Sequence, residues 1–288
     1  MIQNSAMLIE LNVSMWTGRK MDKRVSDEID VAKNTKARGG NYHKKLMAGT
    51  GKLERVQTLV SALRVWHYKN TLPWADSGSR LLPMAHFFDY KTELNTRIQD
   101  IETAVDSFLM DYPTLVSAAA FQLGDLFDAS EYPDVGSLRS KFSVSYVFLP
   151  VPMAGDFRID VAEESKEELR SEYEKFFNRK LQDAMHDAWT RLYDCVKHLS
   201  ERLADAPEAK TTKSGTVTRQ RFHTTLITNA NELCSLLSAL NVTGDPKLEQ
   251  ARQALERAVN GATADSLKDS DELRRHTKTQ IDAILDMF

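Results

Sequence analysis

The sequence predicts a mainly α, elongated helical bundle with one very long helix and a small antiparallel β-hairpin or sheet. Three observations predict it. Neither glycine nor proline occurs between Gly155 and Pro207, so residues 165–205 read as one continuous helix. At ~1.5 Å per residue such a helix extends about 60 Å. Leu94, Ile98, Ile101, Val105, Phe108 and Tyr112 recur at alternating steps of four and three, the heptad spacing of a helix packed lengthwise on another. Elsewhere the period changes to two: Ile9, Leu11, Val13 and Met15 alternate with polar residues, as do Val144, Tyr146 and Phe148, which marks half-buried strands.

Taken in order, residues 8–16 form the first strand, and a basic turn follows at Thr17-Gly18-Arg19-Lys20. Residues 25–48 are weakly helical and broken at Gly39-Gly40. Leu53, Val56, Val60, Leu63 and His67 mark one face of a helix over 52–70. Pro73 ends it, and Leu72–Arg80 has the composition of a loop. The heptad helix covers 87–112, Pro113 breaks it, and 114–128 forms a further buried helix. Strands at 144–148 and 157–161 form a hairpin around the turn Pro150–Gly155, with the first strand as its third member. The long helix opens with Ser165 and Glu168 as a capping box. Its apolar stripe is Leu181, Met185, Ala188, Leu192, Val196, Leu199 and Leu203, and it is expected to lie antiparallel to the 87–112 helix. Residues 206–216 read as an exposed linker. Three helices follow: one with Phe222, Leu226, Leu233, Leu237 and Leu240; one capped by Asp245, with Pro246 at its first position, closing at Asn260-Gly261; and one over 270–286 with Leu273, Ile281, Ile284 and Leu285. Two parts result, a body over 1–205 and a C-terminal helical segment over 217–288 that packs on the body or hinges from it.

Composition narrows the function. The 288 residues are 42% hydrophobic and 27% charged, with a net charge of −3, ordinary for a globular protein and without a strong global field. Residues 1–70 carry thirteen Lys/Arg against six Asp/Glu, a local charge of +7 that leaves −10 on the rest. Cys195 and Cys234 read as reduced structural thiols. Glu10 interrupts the only apolar run near the start, and no window approaches the ~20 apolar residues of a membrane span. A cytoplasmic protein with no membrane contact is expected.

Few residue constellations carry chemistry. Asp183, Asp187, Asp194 and His198 fall within about 60° of one another on the long helix, where carboxylates and an imidazole can bind a divalent cation. The leucine stripe lies about 150° away, so this face reads as solvated. Gly49-Thr50-Gly51-Lys52 lacks the first glycine and the Ser/Thr of a phosphate-binding loop. His198 lies one turn after Cys195, but the cysteine borders the apolar stripe and reads as packing. The basic region is a closer case: Trp16, Arg19, Lys20, Lys23, Arg24, Arg38, Lys44 and Lys45 combine cations for phosphates with an aromatic face for unpaired bases. Trp74, Asp76 and Arg80 form a proline-bounded candidate recognition loop, or a clamp in which Trp74 enters the core and Arg80 pairs with Asp76. No cofactor, metal or catalytic residue is assigned.

The segment Leu11-Asn12-Val13-Ser14-Met15-Trp16-Thr17-Gly18-Arg19-Lys20 resembles the start of a family of uncharacterised proteins found largely in bacteriophages and prophages. In that family a short strand ending in Trp-Ser/Thr-Gly-Arg-Lys precedes a helical body. Leu72–Pro83, the helix end Asp111-Tyr112-Pro113 and the strands around 144–161 follow in the same order, so the resemblance covers residues 8–205. It implies a phage origin, the cytoplasm of an infected bacterial cell, and no established activity. Members are sometimes encoded beside an AAA+ ATPase and a von Willebrand factor A protein, which makes either an expected partner by analogy. The resulting expectation is a non-enzymatic interaction or assembly protein that self-associates through coiled-coil-like helix faces. Its alternatives are a nucleic-acid-binding phage protein using the basic region and a metal-dependent enzyme using the acidic helix face.

Overall fold

A computed structural model describes residues 5–152, 163–204, 210–211, 217–218 and 224–288. Among these residues the fold is mainly α, with two very long helices and a small antiparallel sheet. The chain divides into two compact units. The first takes Met1–Glu10, Lys69–Phe87 and Phe148–Phe288; the second takes Leu11–Tyr68 and Phe88–Val147.

One sheet is four-stranded. β1 (Ala6–Ser14), β4 (Leu72–Pro73), β5 (Arg80–Pro83) and β6 (Ser143–Pro150) run in the order β4-β5-β1-β6. β1 pairs antiparallel with β5, with Ala6 opposite Pro83 and Leu8 opposite Leu81. The expected strand at 8–16 and the expected strand at 144–148 are therefore neighbours. The other strand of the expected hairpin, 157–161, lies outside the described residues, as do Phe222 and the side chain of Ser165. The segment read as a loop is instead a tight hairpin: β4 and β5 pair with Leu72 opposite Leu81. Gly78 turns it at φ +106, a conformation that costs glycine little.

The second unit is built on α2 (Lys52–Lys69) and α3 (Phe87–Leu123), with the short α4 (Val135–Arg139) after them. The buried residues of α2 are Leu53, Val56, Val60, Leu63 and His67, the face read from the sequence. The two helices run antiparallel. At one end Lys52 Nζ lies 2.9 Å from Asp111 Oδ2. At the other, Trp66 stacks on Tyr90 with ring centroids 4.6 Å apart, and the buried His67 Nδ1 lies 2.6 Å from the Tyr90 hydroxyl. Leu94, Ile101, Val105, Phe108 and Tyr112 are buried along α3, so the heptad face is the core face. Its partner within the second unit is α2, whereas the long helix expected beside it from the sequence belongs to the first unit. The break expected at Pro113 does not occur, and α3 runs through it, 37 residues in all. An interior proline costs a helix ~3 kcal/mol. Burial of Phe108, Leu109 and Tyr112 before it and Ala119 after it outweighs that cost, since a fully buried large apolar side chain contributes about 1.5–3 kcal/mol.

In the first unit, α5 (Glu163–Leu203) is the long helix, 41 residues. Ala188, Leu192, Val196, Leu199 and Leu203 of its predicted stripe are buried, together with Ala184. Around it pack α6 (Thr225–Leu240), α7 (Pro246–Val259), α8 (Ala264–Asp269) and α9 (Asp271–Leu285), and their buried leucines, isoleucines and alanines share one core with α5, with Leu8, Leu72 and Leu81 of the strands, and with Trp74 of the hairpin loop. α5 and α9 run antiparallel, since the Ser200 hydroxyl donates to Asp282 and Trp189 meets Phe288. Asp245 caps α7 with Pro246 at its start, as its sequence signals indicate. The helices after residue 224 thus pack on the long helix. Of the expected linker, Lys210–Thr211 pairs antiparallel with Val217–Thr218; the rest of 206–216 lies outside the described residues.

Candidate functional site

The basic region folds into three elements of the second unit. β2 (Arg19–Asp22) leads directly into α1 (Lys23–Ala32), and β3 (Tyr42–Lys45) returns to pair with β2. The basic turn and the weak helix over 25–48 are thereby resolved into a two-stranded ribbon and a ten-residue helix. Asp22 caps that helix, accepting from the Val25 amide at 3.1 Å. The Val25 hydrogen bond, ahead of the Lys44 charge, holds the Asp22 carboxyl below its ordinary range.

Register decides which cations share a face. Arg19 lies opposite Lys45, Met21 opposite His43, Lys20 opposite Lys44 and Asp22 opposite Tyr42. Directly opposed residues project from the same side of a ribbon, so Arg19, Lys45, Met21 and His43 share one face, and all four are exposed. Lys44 projects from the other face and is buried between Asp22 and Glu131, where it also donates to the Leu126 carbonyl at 2.7 Å. It is a structural cation and leaves the candidate surface. Trp16 leaves it too: its ring stacks on Phe108 at 6.2 Å and meets Tyr112 edge-on at 6.1 Å. Lys20, Lys23, Arg24 and Arg38 remain exposed, with Arg24 bound to the Asp125 carbonyl and Arg38 paired to Asp27.

Gly18 places the ribbon. Its φ of +62 swings the chain out of the Trp16 anchor into β2, and its carbonyl accepts from the Leu46 amide at 2.8 Å. A Cβ there would lie 2.5 Å from Leu53 Cδ2. The Trp-Thr-Gly-Arg-Lys segment is thus an anchor, a turn and the first two residues of a cationic strand.

The other candidates resolve differently. Trp74 is 6% exposed and packs edge-on against Phe177 at 5.4 Å, so it belongs to the core. Arg80 donates to Thr71, to Oγ1 at 2.6 Å and to the carbonyl at 2.9 Å. Asp76 is fully exposed at the hairpin tip, 3.8 Å from Lys180. These three residues hold a hairpin and do not converge on a ligand. On α5, Asp183, Asp194 and His198 are exposed, while Asp187 pairs with Arg191 at 2.7 Å. The Asp183–His198 span rises about 22 Å along the axis, so a shared angular sector does not bring the four together. Among the described residues no group of three or more His, Cys, Asp or Glu side chains could hold a metal ion. Burial pushes the Cys195 thiol up to about 11 and the Cys234 thiol up to about 12, the protonated range in which a thiol is a poor nucleophile.

One surface was not read from the sequence. The outer side of α3 holds Phe88, Thr92, Gln99, Thr103, Asp106, Met110, Ser117 and Phe121, all exposed and all within a sector of about 60°. Phe88, Met110 and Phe121 are 79%, 77% and 92% exposed. Asp106 is the sector's one charge, and it is paired to Arg139. The signal is an eleven-residue spacing, Phe88-Gln99-Met110-Phe121, which the stronger heptad of the buried side masks.

Comparison with protein-family models, with curated proteins and with solved structures finds no match. Among the described residues no helix is long and apolar enough to cross a membrane.

Proposed function

We propose that this chain is a non-enzymatic interaction and assembly protein that self-associates through the outer side of α3. The observation that carries this reading is the low-charge stripe ending in Phe88 and Phe121. Its spacing is self-complementary. A two-fold axis midway along the stripe, relating two antiparallel copies, sets Phe88 opposite Phe121, Gln99 opposite Met110, Thr92 opposite Ser117 and Thr103 opposite Asp106. An isologous dimer requires this kind of pattern, and a sector with a single paired charge meets its copy without like-charge repulsion. The bacteriophage setting and an AAA+ ATPase or von Willebrand factor A protein as partner rest on the resemblance of the Leu11–Lys20 segment.

The test is size-exclusion chromatography with multi-angle light scattering at low salt, with absorbance read at 260 and 280 nm. A dimer free of nucleic acid is expected. Met110→Glu with Phe121→Glu turns it into a monomer with unchanged far-ultraviolet circular dichroism, because both side chains lie on the surface. A monomeric parent protein overturns the reading.

A second reading has its own support. Like charges directly opposed on a ribbon are destabilising, yet Arg19 faces Lys45 on an exposed side. A two-stranded ribbon also fits the major groove of duplex DNA. Nucleic-acid binding through Arg19, Lys20, Lys23, Arg24 and Lys45 would then weaken steeply with salt. Joint neutralisation of Arg19, Lys20, Lys23 and Arg24 would abolish it; unchanged affinity removes this reading.

A further inference from the structure

We propose that the ribbon of β2 and β3 reads guanine in the major groove of duplex DNA, with Arg19 as the reading side chain. This rests on the nucleic-acid reading and names its substrate.

The outer face of the ribbon holds two cross-strand pairs, Arg19 with Lys45 and Met21 with His43. Among the described residues neither the Arg19 guanidinium nor the Lys45 ammonium makes an ion pair or a side-chain hydrogen bond. Other cations of the same unit differ: Arg24 pairs with Glu28, Arg38 with Asp27, Lys44 with Glu131 and Lys52 with Asp111. The carboxylates around the ribbon are engaged elsewhere. Asp22 lies on the inner face with Lys44, and Asp128 accepts from Ser130. Glu54, next to the Leu53 that meets Gly18, pairs with neither outer cation. The backbone beneath these cations is fixed, because the Gly18 carbonyl accepts from the Leu46 amide just beyond the pair. Two unpaired, opposed cations on a fixed backbone form a preorganised site for electron-rich acceptors.

Shape then selects among nucleic acids. The B-form major groove, ~12 Å wide, admits a two-stranded ribbon. The A-form groove of duplex RNA is too deep and narrow for side chains to read. Unpaired strands are held by stacking on aromatic faces, and Trp16 packs on Phe108 and Tyr112 instead. Within the B-form groove a guanidinium donates two parallel hydrogen bonds to guanine O6 and N7, and an ammonium reaches the same atoms. Met21, 42% exposed between these cations and the end of β2, supplies apolar contact for a neighbouring thymine methyl. Lys23, exposed at the start of α1, is left for a phosphate.

The test is fluorescence anisotropy on the full chain with three probes: a duplex of d(GT)·d(AC) repeats, the same duplex with 7-deazaguanine, which lacks the N7 acceptor, and the matching duplex RNA. The deaza duplex should bind about fivefold more weakly than the parent duplex, and the RNA more weakly still. Arg19→Gln should weaken the parent duplex about tenfold and no longer distinguish it from the deaza duplex. Lys23→Gln should weaken both DNA duplexes equally and lower the salt slope by about one. Each variant alters an exposed side chain, and circular dichroism checks its fold. Equal binding of the two DNA duplexes, RNA bound as tightly as DNA, or an Arg19→Gln protein that keeps the preference overturns guanine readout and leaves the nucleic-acid reading standing. No binding of any probe at low salt overturns both.

Discussion

Lys44 Nζ lies 2.8 Å from Glu131 Oε2 and 3.4 Å from Asp22 Oδ2, with 5% of its side chain exposed. This ion triad joins the ribbon to a segment some ninety residues later in the chain. Burial alone would lower the Lys44 pKa, but the hydrogen bond and charge of Glu131, and then those of Asp22, raise it. Removal of one partner from a buried ion pair leaves the others uncompensated, so Lys44→Ala should cost about 3 kcal/mol in urea unfolding. The pH dependence has two ends. Asp22 titrates below its ordinary 3.8 in the folded protein, so its contribution is present above that value and fades as pH falls through the folded pKa. Lys44 titrates above its ordinary 10.5, so its contribution is present below that value and fades as pH rises through the folded pKa. Lys44→Ala should flatten the alkaline limb of the stability curve; an unaltered limb would assign it to other groups.

Gly18 and Gly51 separate backbone strain from steric overlap. Both have left-handed φ, +62 and +72, but a Cβ on Gly51 meets nothing within 4 Å. Gly51→Ala should therefore cost only about 1 kcal/mol, the conformational penalty. Gly18→Ala must also displace Leu53 Cδ2 and should cost on the order of 2–3 kcal/mol. Equal midpoints for the two variants in urea would show that Leu53 yields without cost.

Pro113 gives a substitution expected to stabilise. It is exposed and interior to α3, where it removes one helical hydrogen bond. Pro113→Ala should raise stability by about 1–3 kcal/mol, read as a higher melting temperature with unchanged helical content.

The cysteines should be silent in the native state. Cys234 is 1% exposed, its Sγ donating to the Arg252 carbonyl at 3.8 Å; Cys195 is half-buried, and desolvation raises both thiols far above neutrality. A thiol-reactive chromophore at pH 7.5 should label neither at a measurable rate, and both once urea unfolds the chain. Rapid labelling of Cys195 would show that the α5 stripe opens there.

The faces of α2, α3 and α5 and the cap of α7 were legible because each rests on one local signal: apolar spacing, or an aspartate followed by proline. The ribbon was not. Arg19-Lys20-Met21-Asp22 and Tyr42-His43-Lys44-Lys45 hold one apolar residue and one tyrosine among charged and polar ones, so no apolar alternation announces them. Their pairing depends on Gly18 and on partners of Lys44 such as the Leu126 carbonyl, 82 residues away. Pro113 misled because its local cost is plain and the packing that overrides it is not. Trp16 in sequence reads as a surface ring for a base; its contacts with Phe108 and Tyr112 make it an anchor instead. The α5 carboxylates share an angle, and angle alone ignores the rise between turns.

The core of the first unit contains Ala6 and Leu8 from the first strand and Ile281 and Ile284 from the last helix. The second unit is complete by Val147. During synthesis, which proceeds at about 5–20 residues per second, the two therefore mature in reverse of the order in which the chain enters them. The second unit can close midway, whereas β1 must keep its first half waiting until α9 leaves the ribosome. Between those events the apolar stripe of α5 stands without α9, and for those seconds the nascent chain carries it uncovered.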